Sequence, residues 1–251
     1  MPLRPHPVLN EHYGSVDERP AFVLSLFNQT ARYYDAVNYV FSLGTGAWYR
    51  RQVLRHAGLC PGMRVLDIAT GTGLVARAAE RVAGPATTII GLDLSETMLR
   101  TARRHLAIPL IQAQAEALPI ADASIDFISL GYALRHVEDL DGTFREFYRV
   151  LRPGGTLLLM ELARPAGRLA HAIAALYIGH LVPRLCTCFL PRTRLATLMR
   201  YYWDTIESCI PTDVIVARLA ACGFTGVACE TQLDLFCAYR ARRPAYGFGA
   251  T

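Results

Sequence analysis

The chain has 251 residues, of which 52% are hydrophobic and 19% charged, a composition that excludes an intrinsically disordered protein. This length suits one α/β domain with helical additions. The net charge is +5 and all 26 basic residues are arginine, a bias that we attribute to a GC-rich genome; attraction to phosphate or to anionic lipid is the functional alternative. No basic run is dense enough to indicate a nucleic-acid partner.

The seven cysteines and the N-terminal residues indicate an intracellular protein without a metal site. None of the cysteines forms a CxxC pair, and no histidine cluster completes a zinc site beside Cys186 and Cys188. We interpret them as core thiols of a reducing compartment. Residues 1–13 lack the apolar run of a secretory signal, and no uncharged apolar stretch reaches the roughly 20 residues that a membrane-spanning helix needs.

The first 60 residues are predicted to form a polar arm followed by a helical lid. Prolines and polar residues up to Pro20 indicate a loose arm. Apolar and aromatic residues between 21 and 56 follow helical spacing, interrupted by Gly44 and Gly46, which indicates two or more helices that cover a sheet.

From residue 61 to 164, strand and helix patterns alternate, which is typical of a parallel doubly wound sheet. The predicted helices lie at 74–82, 95–105 and 140–151. Five strands are predicted, and the last is apolar on both faces, as a central parallel strand is. These strands lie at 64–68, 87–92, 109–112, 125–130 and 156–160.

Helical patterns return from 165 to about 203, and a loop at 206–212 and a helix at 214–222 follow. Two closing strands are predicted at 227–231 and 233–239. The chain is therefore predicted to be an α/β protein with a Rossmann-like, seven-stranded, mostly parallel sheet and helices on both faces. Its segments are the arm and lid (1–60), the Rossmann-like core (61–164), a helical insertion that shapes the substrate pocket (165–212), and the closing helix and strands (213–251).

The segment from Asp67 to Gly73 joins the first strand to the following helix and is typical of a ligand-binding turn. Its glycines let the backbone approach a ligand where side chains would clash. No Gly-Lys-Ser/Thr follows, which excludes a nucleoside triphosphate loop. Asp93 ends the second strand about 20 residues later, where an acid accepts hydrogen bonds from ribose hydroxyls. A helix cap is the alternative for Asp93, although Ser95 already fills that role.

Further segments, in order, carry a resemblance that covers residues 27–239. They are Val65 to Gly73, Ala113 to Pro119, Leu134 to Val137, and Arg149 to Gly155 followed by Glu161. With them the chain resembles the class I S-adenosylmethionine methyltransferases, and more narrowly the ubiquinone/menaquinone C-methyltransferase family of the UbiE type. The resemblance implies an enzyme that uses S-adenosylmethionine to methylate a small aromatic or quinol-like acceptor, at carbon where the family chemistry is kept.

The resemblance also implies which residues hold the cofactor. They come from the glycine-rich turn, from the acid and helix after the second strand, and from the ends of the third and fourth strands. They are Asp67, Ala69, Gly71, Thr72, Gly73, Asp93, Leu94, Met98, Gln114, Ala115, Glu116 and Gly131, with Ala115 and Glu116 flanking the adenine.

The acceptor side departs from the family pattern. Val37 stands where the family has Met, Gly46 where His is usual and Tyr49 where Trp is usual, while His136 replaces an Asn and Ala163 a Ser. The family geometry implies that the acceptor is contacted by Tyr33, Tyr34, Asp35, Asn38 and Tyr132. An aromatic helix packed on the sheet is the alternative for the tyrosines of the lid.

Arg135 and His136 are the candidate catalytic residues, because they follow the fourth strand at the edge where open α/β sheets bind their ligands. Methyl transfer needs alignment and exclusion of water, and carbon methylation also needs a phenolate-like ring. Arg135 could stabilise that phenolate or orient a water, and an ion pair with Glu138, Asp139 or Glu161 is an equal alternative. His136 titrates in the range of a base, and a structural role is the alternative.

Residues 169–182 are apolar nearly all round and, at 14 residues, are predicted to be too short to span a bilayer. A buried core helix is the default interpretation. A pocket wall or a membrane-surface contact for a lipophilic acceptor is the alternative, mildly supported by the arginines that follow at 184, 192, 194 and 200.

Two other functions stay open at this point. One is O- or N-methylation of a secondary metabolite, which the altered N-terminal signature allows. The other is a protein that binds the cofactor without transferring methyl, as a scaffold in a biosynthetic complex or as a catalyst of a rearrangement. We expect a cytoplasmic protein, and the sequence leaves both a peripheral membrane contact and a homodimer open.

Overall fold

A computed structural model describes residues 3–189 and 192–245, and the side chains of residues 187–189 and 192–194 lie outside that description. Cys188, Arg192 and Arg194 therefore lie outside the described side chains. The strands are β1 (Arg64–Ile68), β2 (Thr88–Asp93), β3 (Leu110–Gln112), β4 (Ile125–Gly131), β5 (Leu151–Leu162), β6 (Thr225–Gln232) and β7 (Phe236–Arg242).

These strands form one sheet in the order β3-β2-β1-β4-β5-β7-β6. The first five pair in parallel, and β7 runs antiparallel to both β5 and β6. The predicted seven-stranded, mostly parallel, Rossmann-like sheet is therefore confirmed. Because β1 pairs with both β2 and β4, the strand order reverses at β1, and open α/β sheets bind ligands beyond the carboxyl ends of the strands at such a point.

Helices cover both faces of the sheet. They are α1 (Arg19–Thr30), α2 (Tyr34–Phe41), α3 (Gly46–His56), α4 (Leu74–Ala83), α5 (Glu96–Ala102), α6 (Leu140–Val150), α7 (Arg168–Ala174), α8 (Val182–Phe189), α9 (Arg192–Ser208) and α10 (Thr212–Ala221). The predicted loop at 206–212 is wrong over its first residues, because α9 continues to Ser208. Ile206 is fully buried in a cluster with Leu162 and Ile178, and this contact favours the longer helix.

Two hydrophobic clusters lie on opposite faces of the sheet. On one face Phe144 and Phe147 of α6 are fully buried among residues of β1 and β4 such as Leu66. On the other face Leu54 of α3 packs with α4 and with Val65 of β1. Neighbouring residues of β1 thus point to different faces, as the alternation of a strand requires, and both faces are apolar.

Within residues 3–20 the chain packs against the domain, so the predicted loose arm is wrong. His6, Tyr13 and Arg19 are only 3%, 5% and 4% exposed. The Ile210 amide donates a hydrogen bond to the Pro5 carbonyl at 2.9 Å, which fastens the arm to the end of α9. The polar composition suggested solvent exposure, but Arg19 donates to the carbonyls of Arg135 and Val137, which are distant in sequence.

Helix α7, a π-helical stretch (Ala175–Leu181) and α8 follow one another without a break. The segment Arg168–Cys186, called here the long helix, has 19 residues, and its most apolar 18-residue window has a mean hydropathy of 1.3, so by length and composition alone it could cross a membrane. The prediction that this helix has 14 residues and is too short to span a bilayer is therefore wrong. The default interpretation as a buried core helix is also wrong, because only 22% of the most apolar window of the helix is buried. Leu169, Ile173 and Leu176 are 75%, 59% and 66% exposed.

Candidate active site

A cleft of about 980 Å³, including its open mouth, lies at the carboxyl ends of β1, β2 and β4. Helix α1 borders it with Pro20, Val23, Leu24 and Phe27, which the sequence did not identify, because helical spacing does not tell which face meets a ligand. Nine of the twelve predicted cofactor residues line the cleft, namely Ala69, Gly71, Asp93, Leu94, Met98, Gln114, Ala115, Glu116 and Gly131.

Asp67 and Gly73 lie behind the surface of this cleft and shape its turn. Asp67 is 1% exposed and accepts hydrogen bonds from the hydroxyls of Thr70 and Ser129, both at 2.6 Å. Burial raises the pKa of Asp67 to about 6, although these two hydroxyls oppose the shift. Gly73 has a φ of +87°, and a side chain there would collide with Leu106.

Thr72 is the third predicted cofactor residue that does not line the cleft. It connects the glycine-rich turn to the N-terminal helices. Its hydroxyl donates to Asp35 of α2, and Asp35 also forms an ion pair with Arg77 of α4 at 2.7 Å. Asp35 therefore links α2 to the glycine-rich turn and does not line either cleft.

Asp93 holds the turn and the following helix at once. Its Oδ2 accepts a hydrogen bond from the Gly71 amide and its Oδ1 one from the Ser95 amide, both at 2.8 Å. The Ser95 hydroxyl caps α5 by accepting from the Met98 amide at 3.0 Å, as predicted. Burial raises the pKa of Asp93 to about 6, against the effect of the two amides. At neutral pH Asp93 is a carboxylate with lone pairs left for ribose hydroxyls.

His136 lines the same cleft and is neutral at pH 7. Burial, together with the charges of Arg135 and Arg19, holds the pKa of His136 well below its usual 6.5. Its Nδ1 is 3.2 Å from the Tyr201 hydroxyl, while its buried Nε2 has no partner among the described residues. The lowered pKa disfavours His136 as the base, because a base must hold the proton that it takes.

These features fit S-adenosylmethionine. Asp93 would hold the ribose, the backbone at Gly71 would allow close approach, and Ala115 and Glu116 would flank the adenine. In the part of the chain that the structure describes, no group of three or more His, Cys, Asp or Glu side chains could hold a metal ion.

A second cleft, of about 1190 Å³, adjoins the first and shares Tyr34 and Tyr132 with it. Tyr132 follows β4 with a φ of +60°, a strained conformation for a residue with a side chain. Its amide donates to the Met160 carbonyl at 2.7 Å, which fixes that backbone. The two clefts therefore meet at the end of β4, where a ligand in one would face a ligand in the other.

Aromatic side chains dominate the second cleft. Of the predicted acceptor residues Tyr34, Asn38 and Tyr132 line it, whereas Tyr33 stands outside both clefts with the guanidinium of Arg32 4.4 Å from its ring centre. Most of the lining was missed, because it comes from α3, the long helix, α9 and β7, which only tertiary packing brings together. The missed residues include Phe41, Trp48, Arg50, Tyr177, Tyr202 and Phe236, whereas Gly46 and Tyr49, two of the departures that the sequence placed on the acceptor side, do line it.

Arg135 borders the second cleft with its charge already compensated. It is 1% exposed, and its Nε lies 2.9 Å from Oε1 of Glu161, which is 2% exposed. Its Nη1 donates to the Thr205 hydroxyl at 3.2 Å. The ion-pair alternative is thus present, with Glu161 as partner, and it favours a positioning role. A catalytic role for Arg135 stays a prediction.

Comparison with known proteins gives consistent matches. The model of the ubiE/COQ5 methyltransferase family matches residues 13–233. The chain is 30% identical over 234 residues to a Shewanella baltica protein named ubiquinone/menaquinone biosynthesis C-methyltransferase UbiE, covering 89% of this chain and 92% of that protein. A protein of the same name from Shewanella sp. (strain ANA-3) is 33% identical over 236 residues, covering 90% and 93%.

Solved structures share the fold at lower identity. A SAM-dependent methyltransferase from Aquifex aeolicus has a TM-score of 0.57 and 16% identity, covering 77% of this chain and 89% of that one. A phosphoethanolamine N-methyltransferase 2 from Haemonchus contortus in complex with S-adenosyl-L-methionine has a TM-score of 0.56 and 17% identity, covering 78% and 52%.

Proposed function

The chain belongs to the ubiE/COQ5 methyltransferase family and is an S-adenosylmethionine-dependent methyltransferase, and from this premise we propose that it methylates a quinol-like aromatic acceptor at a ring carbon. The observation that carries the proposal is the meeting of two clefts at Tyr34 and Tyr132, one fitted to the cofactor and the other walled by aromatic rings. The names of the Shewanella relatives, which refer to ubiquinone and menaquinone biosynthesis, support a quinol as acceptor.

When bound, S-adenosylmethionine supplies a methyl group on a positively charged sulfur, which a nucleophile displaces in line. The residues of this chain contribute alignment and the exclusion of water. Asp93 and the turn at Gly71 hold one ligand, and Tyr34 and Tyr132 form the wall at which the second ligand meets it.

A ring carbon becomes nucleophilic when a neighbouring hydroxyl of the ring ionises. We call the second cleft the acceptor cleft and the first the cofactor cleft. Within the described residues, no Asp, Glu or His lines the acceptor cleft. Burial raises the pKa of Tyr49 to about 12 and that of Tyr132 further above its ordinary value, so both hydroxyls keep their protons. We infer that fixed charge, and not a proton-accepting side chain, favours the ionised ring.

The acceptor is tested by incubating the purified protein with methyl-labelled S-adenosylmethionine and a panel of quinols and polyketide phenols. Nuclear magnetic resonance of the product should place the label on a ring carbon. Label on oxygen or nitrogen would instead favour the alternative methyltransferase activity. Cofactor binding in calorimetry without transfer to any acceptor would favour a scaffold or a rearrangement.

We also propose that the acceptor is lipophilic and is taken from a membrane surface by a cytoplasmic, peripherally bound enzyme. Leu43, Trp48 and Leu233 line the acceptor cleft and are 71%, 56% and 84% exposed. We call these three residues the apolar rim. Exposed large apolar side chains around a cleft mouth are typical of a surface that contacts lipid or another apolar partner.

The long helix continues this apolar surface. The Gly167 amide, just before the helix, donates to Asp234 at 3.1 Å, beside Leu233 of the rim. Further along, the Tyr177 hydroxyl donates to the Phe41 carbonyl at 3.0 Å, two residues before Leu43. The exposed side chains of the long helix therefore lie next to the mouth of the acceptor cleft, and flotation with lipid vesicles tests whether this surface binds a membrane.

A further inference from the structure

The acceptor cleft contains a buried cation whose charge no described residue compensates. Arg50 of α3 is 6% exposed and lines the cleft. In the described part of the chain no carboxylate oxygen lies within 4.0 Å of its nitrogens. Its Nη2 donates to Asn38 at 3.3 Å, and its buried Nε has no hydrogen-bond partner there. Since an unpaired buried charge is costly, such a group suits an anion that arrives with a ligand.

Arg50 differs from Arg135, the other cation that borders this cleft. Arg135 is paired with Glu161, whereas no acidic residue of the described chain lines the cleft around Arg50. The guanidinium carbon of Arg50 lies 5.9 Å from the ring centre of Tyr132, the residue shared by the two clefts. Arg50 is therefore a positive charge available to a ligand close to the place where the two ligands would meet.

The room for this guanidinium depends on Gly46, one turn earlier in α3. A Cβ on Gly46 would lie 3.2 Å from Arg50 Nη1 and 2.9 Å from the Ser42 hydroxyl. Any side chain at position 46 would therefore press on Arg50. The absence of a side chain at Gly46 thus leaves space for the guanidinium of Arg50.

We propose that Arg50 binds the ionised ring oxygen of the acceptor, so that the acceptor is a phenol or hydroquinone that loses its proton on binding. The proposal rests on the proposed function in assigning the second cleft to the acceptor. The O–H bond of the ring hydroxyl breaks, its proton goes to solvent, and the electron pair stays on oxygen. That pair delocalises to the ring carbon, which bonds to the methyl group as the methyl–sulfur bond breaks and the sulfur keeps that bond's electron pair. The same ring carbon then loses its hydrogen as a proton to solvent, and the electron pair of its C–H bond restores the aromatic ring. A guanidinium suits this role because it stays protonated and offers several donors to one oxygen anion.

The test uses 4-nitrophenol as a probe, because its absorbance reports its ionisation. The enzyme, loaded with S-adenosylhomocysteine, is titrated with the probe across a range of pH. In the wild type the apparent pKa of the bound probe should fall by about one to three units. Arg50→Gln should abolish that fall, and Arg50→Lys should keep part of it. Arg55→Gln, which removes the same charge from an exposed position of α3, should leave it unchanged.

Several outcomes would overturn the role of Arg50. The first is that the wild type leaves 4-nitrophenol unbound or with its ordinary pKa. The second is that the Arg50→Gln variant still lowers the pKa of the bound probe. Loss of affinity for S-adenosylhomocysteine in Arg50→Gln, with the probe shift kept, would mean that Arg50 holds the carboxylate of the cofactor. A large drop in the Tm of Arg50→Gln would also contradict an uncompensated charge, because its removal should leave the Tm equal or higher.

This experiment separates the role of Arg50 from the proposed function. Methyl transfer is not part of the measurement, so a wild type that shifts the probe but methylates no quinol or phenol would contradict the proposed function alone. A wild type that methylates a quinol at carbon while leaving the probe at its ordinary pKa would reject the role of Arg50 alone.

Discussion

Asp93 is expected to make cofactor binding dependent on pH. Burial raises the pKa of Asp93 to about 6, and the amides of Ser95 and Gly71 limit that rise. Below this pH the carboxylate takes a proton and accepts fewer hydrogen bonds from ribose hydroxyls. The affinity for S-adenosylhomocysteine should therefore be constant above about pH 7 and fall by up to about tenfold per pH unit below the pKa. Titration calorimetry over this range measures it.

Asp93→Asn is the control for that assignment. The amide does not titrate, so this variant should bind more weakly than the wild type at neutral pH and with little dependence on pH. Asp67 has a pKa of about 6 as well, but its carboxylate is bonded to Thr70 and Ser129 and faces away from the cleft. If Asp93→Asn kept the full pH dependence, Asp67 would be its source and the prediction for Asp93 would be wrong.

Tyr132 is expected to act through its ring and not through its hydroxyl. Burial raises the pKa of Tyr132, although Arg50 opposes the shift, so the hydroxyl stays protonated throughout the working range of the enzyme. Tyr132→Phe should keep kcat within about threefold and preserve its pH profile. Tyr132→Ala removes the wall between the clefts and should lower kcat by about tenfold or more, because alignment is lost. Steady-state kinetics of both variants over a range of pH measure these effects. A pH profile of Tyr132→Phe that lost an ionisation present in the wild type would contradict the prediction.

Local sequence was sufficient to predict the elements that border the first cleft. The apolar run of β1, the glycines of the following turn and the acid at the end of β2 are close in sequence, and their spacing fixes their meeting at one sheet edge. Arg50 could not be found in this way. The site of Arg50 forms only when α2, α3 and the end of β4 pack together. The sequence around Arg50 indicates only an amphipathic helix.

The N-terminal arm illustrates the same limit for a whole element. Arg19 is buried and donates to the carbonyls of Arg135 and Val137 at 2.8 and 3.0 Å. These partners lie more than 110 residues away along the chain, so no local pattern could indicate them. The arm therefore holds the 3₁₀ turn that places His136 in the wall of the cofactor cleft.

Arg19→Ala is expected to loosen that turn. The two buried carbonyls would lose their donor, which should lower the free energy of unfolding by about 1–3 kcal/mol and weaken cofactor binding. Urea denaturation and calorimetry measure the two effects. Arg4→Ala, at an exposed position of the same arm, should change neither. Unchanged cofactor affinity in Arg19→Ala would show that the arm does not support the cleft.

At the scale of the whole molecule, Asp35 connects the two halves of the active site. It bonds to Thr72 in the glycine-rich turn and to Arg77 in α4, while its own helix α2 carries Tyr34 and Asn38 to the acceptor cleft. A displacement of the turn by a bound cofactor would therefore pass to the acceptor wall through this contact. Asp35 thus forms a structural link between the clefts, and its direct contact with the acceptor stays a prediction.

The apolar surface around the acceptor cleft predicts binding to lipid vesicles. Leu169, Ile173 and Leu176 are all more than half exposed, and they lie on the long helix, whose Tyr177 bonds to Phe41 near the apolar rim. Insertion of such side chains into the interface of a bilayer is favourable by up to about 1.5–3 kcal/mol each. Replacing all three by Glu should therefore lower the fraction that floats with phosphatidylcholine vesicles by about tenfold or more, while activity on a water-soluble phenol is kept.

A matched control separates apolar contact from charge. Ala217→Glu, Ala220→Glu and Thr225→Glu, at exposed positions of α10 and β6, introduce the same three negative charges. This control should float like the wild type on neutral vesicles, because charge contributes little there. Equal flotation of both triple variants and the wild type would contradict the membrane contact of the long helix. It would leave the rim at Leu43, Trp48 and Leu233 only as a hydrophobic entrance for a soluble acceptor, since a cleft mouth needs no bilayer to admit one.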